Sequence, residues 1–368
     1  MVGASNNGEY DWAKEMKEFD STKAGVKGLA DAALSEIPKL FIHSPEVLHS
    51  NPILKITDGG ARLDLPTIDF QGVAEEQGRR QVVVEEIRKA AQEWGFFRIV
   101  NHGIPLETMD AMLDAAKLFH EQPTEEKKPF YSSDSRRRVK FNSNLPVLEN
   151  NAACWRDVLS CVFLDDQLDP QDLPSACRKE VQEYVKYMIE LREVMAELLS
   201  EALGLPSDHL LNIECMKSQA LACNYYPKCP QPHKTLGSSK HSDTTFLTLL
   251  MQDSIGGLQI LHNDEWMDVP AARGALIANI GDLMQIISND RFISVEHRVV
   301  AQSVQRVSVA SFFTPSLKAM GKPFEPIKEL LSPENPALYR EFLFREYCEH
   351  YKTKFQGVTS AKPHYRIQ

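Results

Sequence analysis

His241, Asp243 and His297 are the residues whose types and spacing point most directly to chemistry. Imidazole and carboxylate suit a catalytic ferrous ion, and two His with one carboxylate on a single face leave the remaining coordination positions open. In an extended segment side chains two apart point the same way, so His241 and Asp243 can grip one ion while Ser242 faces elsewhere. His297 is expected to supply the third corner from a neighbouring strand. A bare His-x-Asp is common by chance, so the surroundings have to carry the reading. They do, because the two-residue step recurs in Arg306 and Ser308 of QRVSV and in Asn224 and Tyr226 of CNYYPKCP. A guanidinium clamps a carboxylate bidentately and a nearby hydroxyl adds a donor, which describes an acid-binding end beside a metal. An isolated Arg-x-Ser would read as the solvent face of a strand; the coincidence of all three pairs argues otherwise.

The elements that must position these residues follow from periodicity. LPTIDF from Leu65 is a short apolar run, and Arg80 to Trp94 carries Val83, Val84, Ile87, Ala90 and Ala91 at helical spacing. GFFRIVNHG (95–103) predicts a strand, and Leu106 to His120 a helix with Met109, Met112, Leu113 and Leu118 on its stripe, so the order begins βαβα. A charged loop, 121–151, leads to a long helix over about 179–203, stopped by Gly204 and Pro206. Beyond it SQALACNYY, TTFLTLLMQD, GLQILHND, EWMDV, GALIANIG, EHRVVAQ and QRVSVASFFT predict seven strands of a sandwich or barrel, with a hairpin turn at His262-Asn263-Asp264-Glu265. The tail returns to helix, 337–351, and the start, with a helix around 19–34, reads as an arm. The expected organisation is an arm (1–62), a mixed α/β and helical N-terminal region (63–205), a strand-rich core (206–320) and a helical tail (321–368).

Composition bounds the partners. Lys plus Arg number 41 against 51 Asp plus Glu, a net charge of −10 that would repel a phosphate backbone, so nucleic acid is an unsuitable partner. No stretch approaches the roughly 18 to 20 apolar residues of a membrane helix, and the polar start MVGASNNGEYDW lacks a signal-peptide core, so a cytoplasmic protein without a membrane partner is expected. Seven Cys with no CxxC pair read as reduced thiols, and the absence of an obvious coiled coil makes a monomer the default.

NYYPKCPQP, KHSD, SVEHRVV, RVSVASFF and the upstream WGFFRIVNHGIP together resemble the plant 2-oxoglutarate and Fe(II)-dependent dioxygenases over nearly the whole chain. The resemblance implies a mixed α+β fold whose core is a double-stranded β-helix, or jelly roll, flanked by helices and preceded by a helical N-terminal region. It implies Fe(II) held by His241, Asp243 and His297, 2-oxoglutarate anchored by Arg306 and Ser308, Asn224 and Tyr226 on the cosubstrate side, and dioxygen as co-reactant, with ascorbate keeping the iron reduced. Within the family, FDSTKAGVKGL, CWRDVLSC and NDRFISVEHRV resemble the homologues of 1-aminocyclopropane-1-carboxylate oxidase, near desacetoxyvindoline 4-hydroxylase and the benzoxazinoid glucoside dioxygenase. That neighbourhood implies hydroxylation of a small specialised metabolite with release of succinate and CO2. The alternatives are an ascorbate-dependent 1-aminocyclopropane-1-carboxylate oxidase-type enzyme and a non-catalytic small-molecule binding protein.

Substrate contacts are expected at the barrel mouth, with Phe246, Phe313 and the segment 141–148 as candidates, each weighed against a packing role. Arg136, Arg137, Arg138 and Lys140 read first as solvated surface. Asp282 in NIGD is either a turn residue or a group orienting the iron ligands. Trp94, Phe96 and Phe97 read as packing, His102 as structural, and His233 lacks a geometric partner.

Overall fold

A computed structural model describes residues 10–49, 65–143, 152–353 and 360–367. Its first half realises the predicted alternation: β1 (Thr67–Asp69), the helix Gln77–Glu93, β2 (Phe96–Val100) and the helix Leu106–Glu121, with β1 and β2 parallel. The helix Gln77–Glu93 buries the stripe Val83, Val84, Ile87, Ala90 and Ala91. It gives way to β2 at Gly95, whose φ of 63° suits glycine, and whose absent Cβ would lie 2.3 Å from the Ile293 carbonyl oxygen. That close approach seats β2 against the segment leading to His297. The helix Leu106–Glu121 departs from the expected stripe by presenting Leu118 to solvent while burying Phe119 and His120.

β3 (Val139–Asn142) and β4 (Asp157–Phe163) precede the long helix Arg178–Ala202, which ends before Gly204 as expected. There follow β5 (Ser218–Tyr226), β6 (Leu236–His241), β7 (Leu247–Gln252), β8 (Leu258–His262), β9 (Glu265–Asp268), β10 (Leu276–Ile280), β11 (His297–Val300) and β12 (Arg306–Thr314). Eight strands form one sheet in the order β1-β2-β10-β7-β12-β5-β4-β3, and four form a second in the order β6-β11-β8-β9. This is the expected jelly roll with helices outside. The larger sheet takes β1 to β4 from before residue 206, so the strand-rich body reaches back across the boundary expected there. The β8–β9 hairpin turns at Asn263 and Asp264, both at positive φ, as a two-residue primed turn requires.

Alternation along the large sheet separates two environments. Leu221, Cys223, Leu249, Met251, Val309 and Phe313 belong to an apolar core shared with the helices, while Phe96, Tyr226, Leu258, Ile260, Ile277 and Val299 pack in another cluster, formed by strands of both sheets. Each fully buried aliphatic or aromatic side chain contributes on the order of 1.5–3 kcal/mol, so the helix-side face carries much of the stability.

Among the described residues of the N-terminal arm, two helices, Trp12–Thr22 and Gly25–Asp31, replace the one continuous helix expected over 19–34, and a short helix, Pro45–His49, lies beyond them. The break has a cause in Asp157: the backbone N–H groups of Val26 and Lys27 both donate to its buried carboxylate at 2.8 Å. Phe19 and Phe41 then carry the arm onto Trp155 through ring contacts of 5.3 and 5.1 Å. Among the described residues no helix is long and apolar enough to cross a membrane, and all seven cysteines are free.

Candidate active site

β6 ends on His241 and β11 begins on His297, and the two residues are register partners, which brings their ring centroids to 4.3 Å. Asp243 follows two residues after His241, and its Oδ1 lies 3.7 Å from His241 Nε2 and 3.6 Å from His297 Nε2. Each imidazole is oriented from behind. His241 Nδ1 meets the Ser239 carbonyl at 2.8 Å and His297 Nδ1 meets the Val295 carbonyl at 3.2 Å. A carbonyl only accepts, so both Nδ1 atoms donate and both Nε2 lone pairs are left for a metal. Asp243 is divided in the same way: Oδ2 accepts from Thr248 Oγ1 at 2.7 Å and from Asn279 Nδ2 at 2.8 Å, leaving Oδ1 turned to the imidazoles. Burial pushes the His241 pKa down, with His297 adding to the effect. Burial would raise the Asp243 carboxyl, but the two imidazoles and the Thr248 and Asn279 hydrogen bonds outweigh it and hold its pKa below the ordinary value.

This donor set fits a ferrous ion. Metal–ligand bonds of about 2.0–2.2 Å put three facial ligand atoms about 3 Å apart, so the two carboxylate–imidazole spacings need a contraction of less than about 1 Å. Among the described residues no other group of three or more His, Cys, Asp or Glu has its ligand atoms converging in this way.

On the facing sheet, Arg306 is 1% exposed, and no carboxylate among the described residues pairs with it. Its Nη1 donates to Ser308 Oγ at 3.2 Å, its Nη2 to Gln252 Oε1 at 2.9 Å and its Nε to the Gly256 carbonyl, with the guanidinium 4.7 Å over the Tyr226 ring. The register makes this cluster: Arg306 pairs with Tyr226, and Ser308 with Asn224 on one side and Gln252 on the other. Gln252 Nε2 is buried without a hydrogen-bond partner. A buried cation and a buried amide donor, both lacking an anion, are costly unless a ligand carboxylate arrives. Tyr226 reaches the small sheet because Gly237 of β6 has no side chain; a Cβ there would lie 2.7 Å from the ring. Asn224 accepts a long 3.4 Å bond from Arg156 Nη1.

Two expected substrate contacts are corrected. Phe313 is odd-numbered on a strand whose inward residues are Arg306 and Ser308, so it turns to the helices and is fully buried in their core. Phe246 is also fully buried there, its ring 5.2 Å from Phe324. Phe312 shares the face of Arg306 by parity and is half-buried. Phe141 packs with Phe119, His120 and Tyr131, while 144–148 lie outside the described residues. Arg136 is exposed and pairs with Asp134, as a solvated surface requires. His102 is structural, bonded to the Gly274 carbonyl at 3.1 Å, and His233 is exposed. Phe96, read as general packing, instead lies edge-on to His297 at 5.3 Å.

Thr248, Asn279 and Gln252 escaped the sequence reading. The signal was an amide or hydroxyl inside otherwise apolar strands, FLTLLMQ and GALIANIG, where an unpaired polar group would be costly.

Comparison with known proteins agrees with this geometry. The profile of the 2OG-Fe(II) oxygenase superfamily matches residues 217–315, and that described as the non-haem dioxygenase in morphine synthesis N-terminal region matches 65–181. 1-Aminocyclopropane-1-carboxylate oxidase homolog 11 of Arabidopsis thaliana is 45% identical over 368 residues, covering 99% of this chain and 100% of the relative. The chain belongs to the 2OG-Fe(II) oxygenase superfamily. A second Arabidopsis thaliana relative of this oxygenase, 1-aminocyclopropane-1-carboxylate oxidase homolog 1, is 47% identical over 346 residues, 94% of either chain. Among solved structures, JOX2 in complex with 2OG, Fe and JA superposes with a TM-score of 0.81 at 30% identity, covering 94% of this chain and 98% of that one. The rice dioxygenase for auxin oxidation, at 24% identity with a TM-score of 0.69 over 83% of this chain and 100% of that one, shares the fold. The oxygenase is thus an Fe(II)- and 2-oxoglutarate-dependent dioxygenase.

Proposed function

We propose that this dioxygenase hydroxylates a small specialised metabolite, releasing succinate and CO2, with His241, Asp243 and His297 as the iron ligands and Arg306 and Ser308 as the anchor for the distal carboxylate of 2-oxoglutarate. The observation that carries the cosubstrate half is Arg306, a fully buried guanidinium with no carboxylate partner among the described residues, set beside Ser308 and the unpartnered amide nitrogen of Gln252. Tyr226 packs against the guanidinium, and Asn224 stands beside Ser308 by register. Fe(II) supplies the activation of dioxygen; the chain supplies two oriented Nε2 lone pairs, one free carboxylate oxygen and a buried cationic clamp. Ascorbate would keep the iron reduced between turnovers. JA in the similar JOX2 structure supports a small organic molecule as substrate. The free thiols support a reducing, cytoplasmic setting, and we propose a monomer.

The test needs no knowledge of the substrate. Adding 2-oxoglutarate to the anaerobic Fe(II)-loaded protein should give the visible charge-transfer band of the chelate, and Arg306→Ala should weaken it. No band, with iron shown bound, would put the ascorbate-dependent oxidase reading first. Stoichiometric ligand uptake without succinate release would favour a binding protein.

A further inference from the structure

Asp282 begins the helix Asp282–Ile287 and is fully buried, yet its carboxylate serves five donors from four parts of the chain. Oδ2 accepts from Ser242 Oγ at 3.0 Å, Tyr347 Oη at 2.8 Å and Ser360 Oγ at 3.0 Å. Oδ1 accepts from Ser294 Oγ at 2.7 Å and lies 3.2 Å from Lys362 Nζ. The backbone joins in: the N–H groups of Gly281, Asp282 and Leu283 donate to the carbonyls of Phe246, Asp243 and Thr245 at 3.1, 2.8 and 3.1 Å. Gly281 permits this approach, since a Cβ there would lie 2.0 Å from the Thr245 carbonyl oxygen. Gly281-Asp282 is therefore the start of a helix and not the turn between strands considered for it.

Where the donors come from matters more than their number. Ser242 stands between His241 and Asp243, its side chain on the far face from theirs, and so is a handle on both from behind. Ser294 precedes Val295, whose carbonyl orients the His297 ring. Tyr347 lies on the helix Phe344–Thr353, and Ser360 and Lys362 come from the chain's end. The same end is tied again at the His297 approach, Lys362 Nζ donating to the Ser294 carbonyl at 2.9 Å and to Gln285 Oε1 at 2.7 Å. Tyr351 Oη adds a 3.4 Å contact to the Ser242 carbonyl.

We infer that Asp282 is a positioning residue for the iron site, and that Tyr347, Ser360 and Lys362 make the C-terminal segment part of the same device, clamping Ser242 and Ser294 so that the three ligands keep one geometry. The inference rests on the reading of His241, Asp243 and His297 as the iron ligands. Asp282 touches no ligand side chain; it acts through Ser242, Ser294 and the backbone of 243–246. Groups that orient ligands typically govern metal affinity by a factor of about 10–100.

The test compares full-length Ser242→Ala, Tyr347→Phe and Asp282→Asn with Tyr339→Phe, which removes the neighbouring tail contact to Asp290 but none to Asp282. Fe(II) affinity by chelator competition, the position of the Fe(II)–2-oxoglutarate charge-transfer band and the melting temperature are read for each. Ser242→Ala and Tyr347→Phe should weaken Fe(II) binding by about 10-fold and shift the band, and Asp282→Asn by about 100-fold. Tyr339→Phe should lower the melting temperature comparably while leaving affinity and band unchanged. If Asp282→Asn does not fold, the two hydroxyl variants decide. Wild-type affinity and band in Ser242→Ala and Tyr347→Phe, with only the melting temperature lowered, would show Asp282 to be a folding hub and overturn the inference. Wild-type protein that binds Fe(II) no better than His241→Ala would instead overturn the ligand reading beneath it.

Discussion

The two faces of the eight-stranded sheet are made by the same strands and do opposite work. On β12, Val307, Val309 and Phe313 enter the core shared with the helices, while Arg306 and Ser308 face the other sheet; on β5, Leu221 and Cys223 take the first face and Asn224 and Tyr226 the second. The helix side is apolar enough that burial pushes the Cys161 and Cys223 thiols well above their ordinary pKa. The other side holds a cation with no carboxylate partner among the described residues, and it faces the two imidazoles and one carboxylate carried by the smaller sheet. Such an arrangement is costly in the folded protein by itself and becomes favourable when iron and an acid arrive. Stability and function are therefore separated by one residue of strand register, and a change on either face should leave the other's property intact.

Paired substitutions test that separation with the largest expected effects. Phe313→Ala should lose about 3–5 kcal/mol in a denaturation series with unchanged 2-oxoglutarate affinity, as a core truncation does. Arg306→Ala should do the reverse, raising the 2-oxoglutarate dissociation constant by about 100-fold, the worth of about two charge-assisted hydrogen bonds, without loss of stability. If Phe313→Ala weakened cosubstrate binding as strongly as Arg306→Ala, the two faces would not be independent. A smaller effect is expected of Asn279→Ala, which leaves Asp243 Oδ2 with Thr248 alone: Fe(II) affinity should fall by about 10-fold with the fold intact. Unchanged affinity there would remove the reason for dividing the carboxylate's two oxygens between protein and metal.

Acid should reveal the helix side. Burial pushes the His120 pKa down to about 3, its Nε2 bonded to the Cys223 carbonyl at 3.0 Å. Between that value and the ordinary histidine pKa of 6.5 the unfolded chain binds a proton that the folded one does not, so His120 destabilises the fold progressively as pH falls through the window. Stability against urea measured from pH 7 to 4 should therefore decline, and His120→Gln should flatten the decline even in metal-free protein. An unchanged slope in that variant would assign the acid sensitivity to other groups.

Much of this was legible beforehand because strand chemistry is local. A period of two puts His241 beside Asp243 and Arg306 beside Ser308 whatever the rest of the chain does, and the helical stripes from Val83 to Ala91 and Val181 to Leu198 need only a core to face. The misses share a different cause. β3 and β4 went unread as strands and β6 was read only as the extended stretch at His241; β4 and β6 pair with β5 and β11, far along the chain, while β3 has β4 as its one partner strand among the described residues. Phe313 and Phe246 were placed at the mouth by nearness in sequence to site residues, and parity and packing sent them elsewhere. The arm's helix breaks on Asp157, more than a hundred residues away.

By itself the sequence determined which side chains share a face, which residue types stand ready for a metal and a carboxylate, and where most helices and strands lie, since each depends on a few neighbouring residues. Only the tertiary structure decided that His241 and His297 are register partners, that Gln252 joins Arg306, that Thr248 and Asn279 take one oxygen of Asp243, and that the chain's end reaches Asp282 behind the ligands. Those pairings join residues on separate elements, and which elements meet is settled by burying the whole chain's apolar surface at once.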